Sequence, residues 1–271
     1  MAGEPEPVKS VRLPGRYPVV EVERDAYGAV MLPRLLTVTF DAYDPGGLAR
    51  FWGDLLGRDV RTDGDAALLP GGPTQVGLRF APSPGGAHPS PAERVRHRHI
   101  HLHLTSDSPD GQQQAVATAR QLGATPLDVG QRPEEGHVVL ADPEGNAFCV
   151  IEPGNSFLAG CGPLGELACD GTRAVGVFWS AALGWPLVWD QDGETAIQSP
   201  AGGTKVAWGG PPLNPKAGRN RQRFDLAPAD GDQRAEVERL IGLGATRVEV
   251  APDGAVVLAD PDGNEFRVPS A

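Results

Sequence analysis

Apolar and polar residues alternate along this chain in short bursts, and between the bursts apolar residues recur at three- and four-residue spacing. The burst "LLTVTF" (residues 35–40) reads as a strand, and Asp44-Pro45 then opens a helix that runs through "LARFWGDLLG". Asp44 is placed to cap the free helix N–H groups, Pro45 suits the first helical position, and Gly57 stands where a helix stops. Short strands follow, up to "TQVGLRF" (74–80). A second block repeats this order: strand "HIHLHL" (99–104), helix "GQQQAVATARQLG" ending at Gly123, strands "HVVLAD" and "FCVIE". Each block predicts one βαβββ module.

The pair of modules then recurs. "FWGDLLG" at 51–57 returns as "FWSAALG" at 178–184, "LGAT" at 122–125 returns at 243–246, and "LADPEGN" at 140–146 returns as "LADPDGN" at 258–264. Three landmarks in one order, at offsets that shrink along the chain, identify an internal duplication with shorter loops in its second copy. The later modules read as "LGELAC", a helix through "AVGVFWSAALG" and strands to "TKVAW", then "QRFDLA", the helix "DQRAEVERLIGLG" and closing strands. The expected fold is α+β: four βαβββ modules forming two tandem domains, 35–153 and 163–271, joined by a linker at 154–162. Residues 1–34 form an N-terminal extension whose "RYPVVEVERDAYGAVMLPR" alternates like a strand. Pro-rich connectors, "APSPGGAHPSPAE" and "GGPPLNPKAGR", divide the modules of each half.

Composition narrows the function classes. An apolar content of 40% with 22% charge is that of a soluble globular protein, and 36 Gly with 27 Pro imply many turns. A net charge of −11 excludes broad binding to a nucleic-acid backbone, which needs clustered Lys and Arg. The basic run "RVRHRH" (94–99) reads as a solvated strand entry. "MAGEPEPVKS" lacks the basic start and apolar run of a secretory signal, and no uncharged apolar stretch approaches bilayer length, so no membrane partner is expected. Cys149, Cys161 and Cys169 follow no CxxC spacing and fit a reducing compartment, so the expected location is cytoplasmic.

Paired βαβββ modules with FW-x3-LG on the first helix, LGAT after the second and a closing DPxGN hairpin resemble the vicinal oxygen chelate superfamily. In particular the chain resembles the tandem glyoxalase-like, bleomycin-resistance-like proteins of actinobacterial type, and the resemblance covers nearly everything after residue 35. It implies that the modules of each pair curl their strands into a cup, with helices outside and a small molecule or metal within. The metal-using relatives carry a His on the first strand of each module of a pair and a Glu just after DPxGN, a set that suits a divalent cation. Here those positions fall near Thr37, at His101 or a neighbour, and on Cys149; in the second half they fall near Leu164, at Arg223 and at Arg267. Guanidinium groups donate hydrogen bonds and accept none, so the second half is expected to hold no metal.

The first half carries the remaining chemistry. His97, His99, His101 and His103 occupy alternate positions and should share one strand face, with Ile100, Leu102 and Leu104 on the other. His137 and Cys149 approach from neighbouring strands, so His101, His103 and Cys149 form a candidate thiolate–imidazole site, against the plainer reading of Cys149 as a small buried hydrophobe. In the second half Arg223, Asp225 and Arg267, with Trp208 as an aromatic wall, suit a flat polar or anionic ligand; Trp208 is core instead if it follows Leu78. Phe51, Trp52, Phe178 and Trp179 are expected in helix-to-sheet packing, and Asp142 and Asp260 in turn hydrogen bonds.

The expectation from sequence is a metal-independent small-molecule binding or sequestering protein of bleomycin-resistance type, without a cofactor, either a monomeric pseudo-dimer or a homodimer. The alternative is a lyase, isomerase or ring-modifying enzyme that uses the His99, His101 and His103 row with a divalent metal, or Cys149 directly.

Overall fold

Each of the four expected modules is present in the computed structural model, which describes residues 34–84 and 99–270 apart from 133, 215, 217 and 230. The first contains β1 (Arg34–Ala42), α1 (Pro45–Leu56), β2 (Arg61–Asp63), β3 (Ala66–Leu69) and β4 (Gly77–Pro82). The second contains β5 (Ile100–Leu104), α2 (Pro109–Gln121), β6 (Thr125–Pro126), β7 (Val138–Ala141) and β8 (Ala147–Val150). The third contains β9 (Leu164–Cys169), α3 (Arg173–Leu183), β10 (Leu187–Gln191), β11 (Glu194–Gln198) and β12 (Lys205–Trp208). The fourth contains β13 (Gln222–Ala227), α4 (Gln233–Gly242), β14 (Thr246–Val250), β15 (Val256–Ala259) and β16 (Glu265–Val268). The extension at 1–33, the first Pro-rich connector beyond residue 84 and His97 lie outside the described residues.

Local chemistry sets the helix ends as expected. Asp44 accepts a hydrogen bond from the Gly47 N–H, Pro45 opens α1, and Gly57 closes it in the left-handed region at φ 64°. Ser108 and Asp232 cap α2 and α4 in the same way.

The pairing of modules departs from the expectation that the two modules of each half share a cup. One eight-stranded sheet runs β14-β15-β16-β13-β1-β4-β3-β2, so it joins the first module to the fourth. The other runs β10-β11-β12-β9-β5-β8-β7-β6 and joins the second to the third. Antiparallel contacts make both joins, β1 with β13 and β5 with β9. Each cup therefore draws one module from each half of the repeat.

What holds a half to itself lies on the helix side. Val38, Phe40, Leu78, Phe80, Leu102, Phe148, Leu167, Val206, Phe224 and Phe266 face one continuous core with residues from all four described helices. Trp52 on α1 stacks edge-on against Phe148 of the second module, and Trp179 on α3 against Phe266 of the fourth. The indole N–H of Trp52 also donates to Asp142 Oδ2 at 3.1 Å, while Asp142 Oδ1 accepts the N–H groups of Glu144 and Asn146. Trp179 and Asp260 repeat the arrangement at 3.4 Å. The next acidic residue of each turn reaches the entry of α1 or α3: Glu144 accepts from the Tyr43 and Asp44 N–H groups, and Asp262 from Thr172.

Burial lifts both aspartates to about 6, although every one of these hydrogen bonds pulls the other way. Because these values stand above the ordinary 3.8, the unfolded chain loses the two protons first. The pair thus adds stability below 3.8 that is lost as pH rises through about 6. We expect Asp142→Asn to flatten this part of the pH dependence in urea titrations. Asp142→Ala and Asp260→Ala should each cost about 1–3 kcal/mol by leaving an indole and turn N–H groups unpaired.

Candidate functional site

The face of each sheet opposite the helices is the inside of a cup, and strand registers set what it presents. In the second sheet His103 of β5 stands directly between Cys149 of β8 and Glu166 of β9, and Lys205 of β12 follows Glu166. In the first sheet the corresponding row reads Arg267 of β16, Asp225 of β13, Thr37 of β1 and Gly77 of β4. One scaffold carries two different rows.

In the second cup the donor atoms of His101, His103 and Cys149 all lie within 4.8 Å of one another, and the two imidazole rings are 4.8 Å apart. His103 Nδ1 is 2.6 Å from Glu166 Oε2, with the two side chains 18% and 8% exposed. Burial alone pulls the His103 imidazole down; hydrogen bonds with Cys149 and Glu166 and the charge of Glu166 overcome it and lift the group to about 9. The cup floor is apolar: Phe157, Leu158 and Cys161 of the linker pack with Val139, Cys149 and Ile151. Lys205 Nζ lies 4.1 Å over the Phe157 ring and donates to the Phe157 carbonyl.

Sequence reading missed Glu166. Leu164, taken as the cup position of "LGELAC", is fully buried in the core, and a register shift opposite His103 and Leu104 puts Glu166 inward instead. The available signal was Gly165, because a glycine inside a strand marks an irregularity or a close approach. A Cβ there would stand 2.7 Å from Thr105 Cγ2. His99 also departs from the expected row. It is buried and lines a small cleft bordered by both sheets, with Asp170, Asn220, Arg223 and Glu265. His137 immediately precedes β7, outside the His101, His103 and Cys149 cluster.

In the first cup Arg223 and Asp225 alternate with core residues Phe224 and Leu226, and Arg267 with Phe266 and Val268. Arg223 pairs with Asp41 at 2.6 Å; Arg219 shares that carboxylate, and Arg267 pairs with Asp253. Asp225 accepts through Oδ2 from Thr37 and Thr39. Trp208 is no part of this cup: it belongs to β12 of the other sheet and is buried at 2% exposure in the helix-side core, following Leu78. Trp185 also packs against that core, whereas Trp189 is exposed beside Phe157.

Paired βαβββ modules closing two cups, with donors in register across the central strands, place the chain in the vicinal oxygen chelate superfamily. More narrowly, it belongs to the Glyoxalase-like domain family, whose model matches residues 37–151 and 166–269. Among solved structures it is similar to glyoxalase I from Zea mays, with 14% identity over 88% of this chain and 92% of that one and a TM-score of 0.56. The V278E mutant of that enzyme gives 15% identity, the same coverage and 0.57. A proposed dioxygenase of Bacillus subtilis gives 14% over 89% and 85%, at 0.51. At these identities the likeness concerns the fold. No curated protein matches the chain. Among the described residues no helix is long and apolar enough to cross a membrane.

The raised His103 value contributes stability that is complete below 6.5 and is lost as pH rises through about 9. In protein treated with a chelator, Glu166→Gln should return the His103 ring to its ordinary range or below, as read by NMR titration. The stability loss between those two pH values should shrink with it.

Proposed function

We propose that the protein binds a small oxygen-bearing molecule in the second cup, and that His101, His103 and Cys149 there hold a divalent cation of zinc type. The observation that carries this reading is the convergence of two imidazoles and a thiol within 4.8 Å, with the Glu166 carboxylate hydrogen-bonded to the outer side of His103. Bond lengths around a tetrahedral zinc put neighbouring N and S donors about 3.5 Å apart, so side-chain rotation suffices to close the site. A thiol in place of a carboxylate selects softer ions over magnesium or manganese. Such an ion supplies a Lewis acid that polarises a ligand oxygen, which suits lyase or isomerase chemistry.

The chain's own groups do the rest. Glu166 accepts the Nδ1 proton of His103, which fixes the ring and leaves Nε2 as its free donor atom. Phe157, Leu158 and Cys161 close the floor and exclude water, and Lys205 adds a positive charge at the end of the row. Binding the ion requires His103 and Cys149 to release protons, so affinity rises with pH. The sequence alone favours metal-independent sequestration; the hydrogen bond by which Glu166 orients His103 supports the metal-holding reading instead.

A second reading is favoured by the hydrogen bond between His103 and Cys149. Without a cation, the same row is a carboxylate–imidazole–thiol relay that prepares Cys149 as a nucleophile. In either case both sheets are completed within one chain, which supports a monomeric pseudo-dimer. Three free, buried cysteines support a reducing, cytoplasmic setting.

Elemental analysis of protein purified from zinc-supplemented medium should give about one ion per chain. Cobalt substitution should produce a thiolate-to-metal absorption band that Cys149→Ser abolishes, His101→Ala should abolish stoichiometric zinc, and Glu166→Gln should weaken zinc about 10–100-fold. A wild-type protein that binds no stoichiometric ion, yet loses rapid thiol alkylation on Glu166→Gln, would replace the first reading with the second.

A further inference from the structure

The first cup contains two polar atoms whose needs are unmet and which lie on adjacent strands. Asp225 is 5% exposed and points to the cup side of β13, between the core residues Phe224 and Leu226. Its Oδ2 takes both threonine hydroxyls, whereas Oδ1 is buried without a hydrogen-bond partner. Arg267, its register partner on β16, uses Nη2 on Asp253, and its Nε is buried without a partner as well. No ion pair joins Asp225 to Arg267 among the described residues, although the neighbouring guanidinium groups of Arg223 and Arg219 are both committed to Asp41. A buried acceptor and a buried donor on adjacent strands are costly when left without partners, and ordered water or a bound molecule can satisfy them.

We propose that the first cup is a second, metal-free binding site for a flat, uncharged molecule that presents an N–H and a C=O next to each other: the cis-amide edge of a lactam, cyclic imide or cyclic ureide. The N–H donates to Asp225 Oδ1 and the C=O accepts from Arg267 Nε. Charge in this cup is already largely compensated by the pairs at Asp41 and Asp253, so a neutral edge fits better than an anion. A metal ion fits worse still, because arginines flank the one open carboxylate oxygen and cannot act as ligands. At the rim of the cup, Arg219 is 41% and Asp253 57% exposed.

Succinimide and N-methylsuccinimide separate the two requirements with one ring, since they differ only at the donor. Binding of each to the full chain would be followed by ligand-observed NMR in the presence of a chelator, with guanidinium as a donor-only control. Succinimide should bind at least about 10-fold more tightly than its N-methyl form, and Cys149→Ser should leave this unchanged. Arg267→Met and Asp225→Asn, each checked for an unchanged thermal midpoint, should weaken succinimide about 10-fold or more. Equal binding of the two imides, binding of guanidinium alone, or indifference to Arg267→Met would overturn the proposal. Because the chelator empties the second cup, none of these outcomes depends on a cation there.

Discussion

A buried carboxylate that must find donors organises this molecule. Asp142 and Asp260 are withdrawn from water at the last hairpin of each half, and each is made tolerable by turn N–H groups and by the indole of a tryptophan on the first helix of the same half. The tryptophan in turn needs an acceptor for its own N–H in an otherwise apolar core. Neither residue is comfortable without the other, so FW and DPxGN recur together. Through this bond and the aromatic stacking around it, the helix layer ties together the two modules of a half, while the strand layer ties each module to the opposite half. The cross-weaving leaves neither half with a complete cup of its own.

Much of this was legible in the sequence because it is written locally. Periods of two and of three to four, Asp44-Pro45 before a helix and Gly57 after it, and DPxGN between two strands each specify their own segment without reference to the rest of the chain. Strand partnership across halves is not local. β1 meets β13 nearly two hundred residues away, and nothing in "LLTVTF" distinguishes that neighbour from β5. The site was legible to the same extent. His101, His103 and Cys149 followed from alternation, whereas Glu166 did not, because the irregularity at Gly165 shifts the inward side of β9 relative to Leu164. Trp208 was ambiguous because its strand offers a core face and a cup face to the same pattern, and only the packed helices decide between them.

The two cups show how little of a scaffold needs to change for its chemistry to diverge. Along equivalent rows, Cys149, His103 and Glu166 in one cup face Arg267, Asp225 and Thr37 in the other. The first row offers a thiol, an imidazole and a carboxylate bonded to one another; the second sets a guanidinium held by Asp253 beside a carboxylate held by threonine hydroxyls. The core residues that alternate with them, Phe148 and Phe266 or Leu102 and Phe224, remain large and apolar throughout. Chemistry and stability are thus carried on opposite faces of the same strands, and one can vary while the other is preserved.

The nesting of the sheets has a further consequence for how the polypeptide comes into being. The inner partners, β5 and β9, are close along the chain, so their sheet can assemble while synthesis is still in progress. The outer partners, β1 and β13, are far apart, and β1 must wait until nearly two hundred further residues have been made before its neighbour exists. Closing so long a loop is entropically slow and leaves an apolar strand edge unsatisfied on the nascent chain. That interval, more than any property of the finished protein, is when aggregation threatens and a chaperone has most to do.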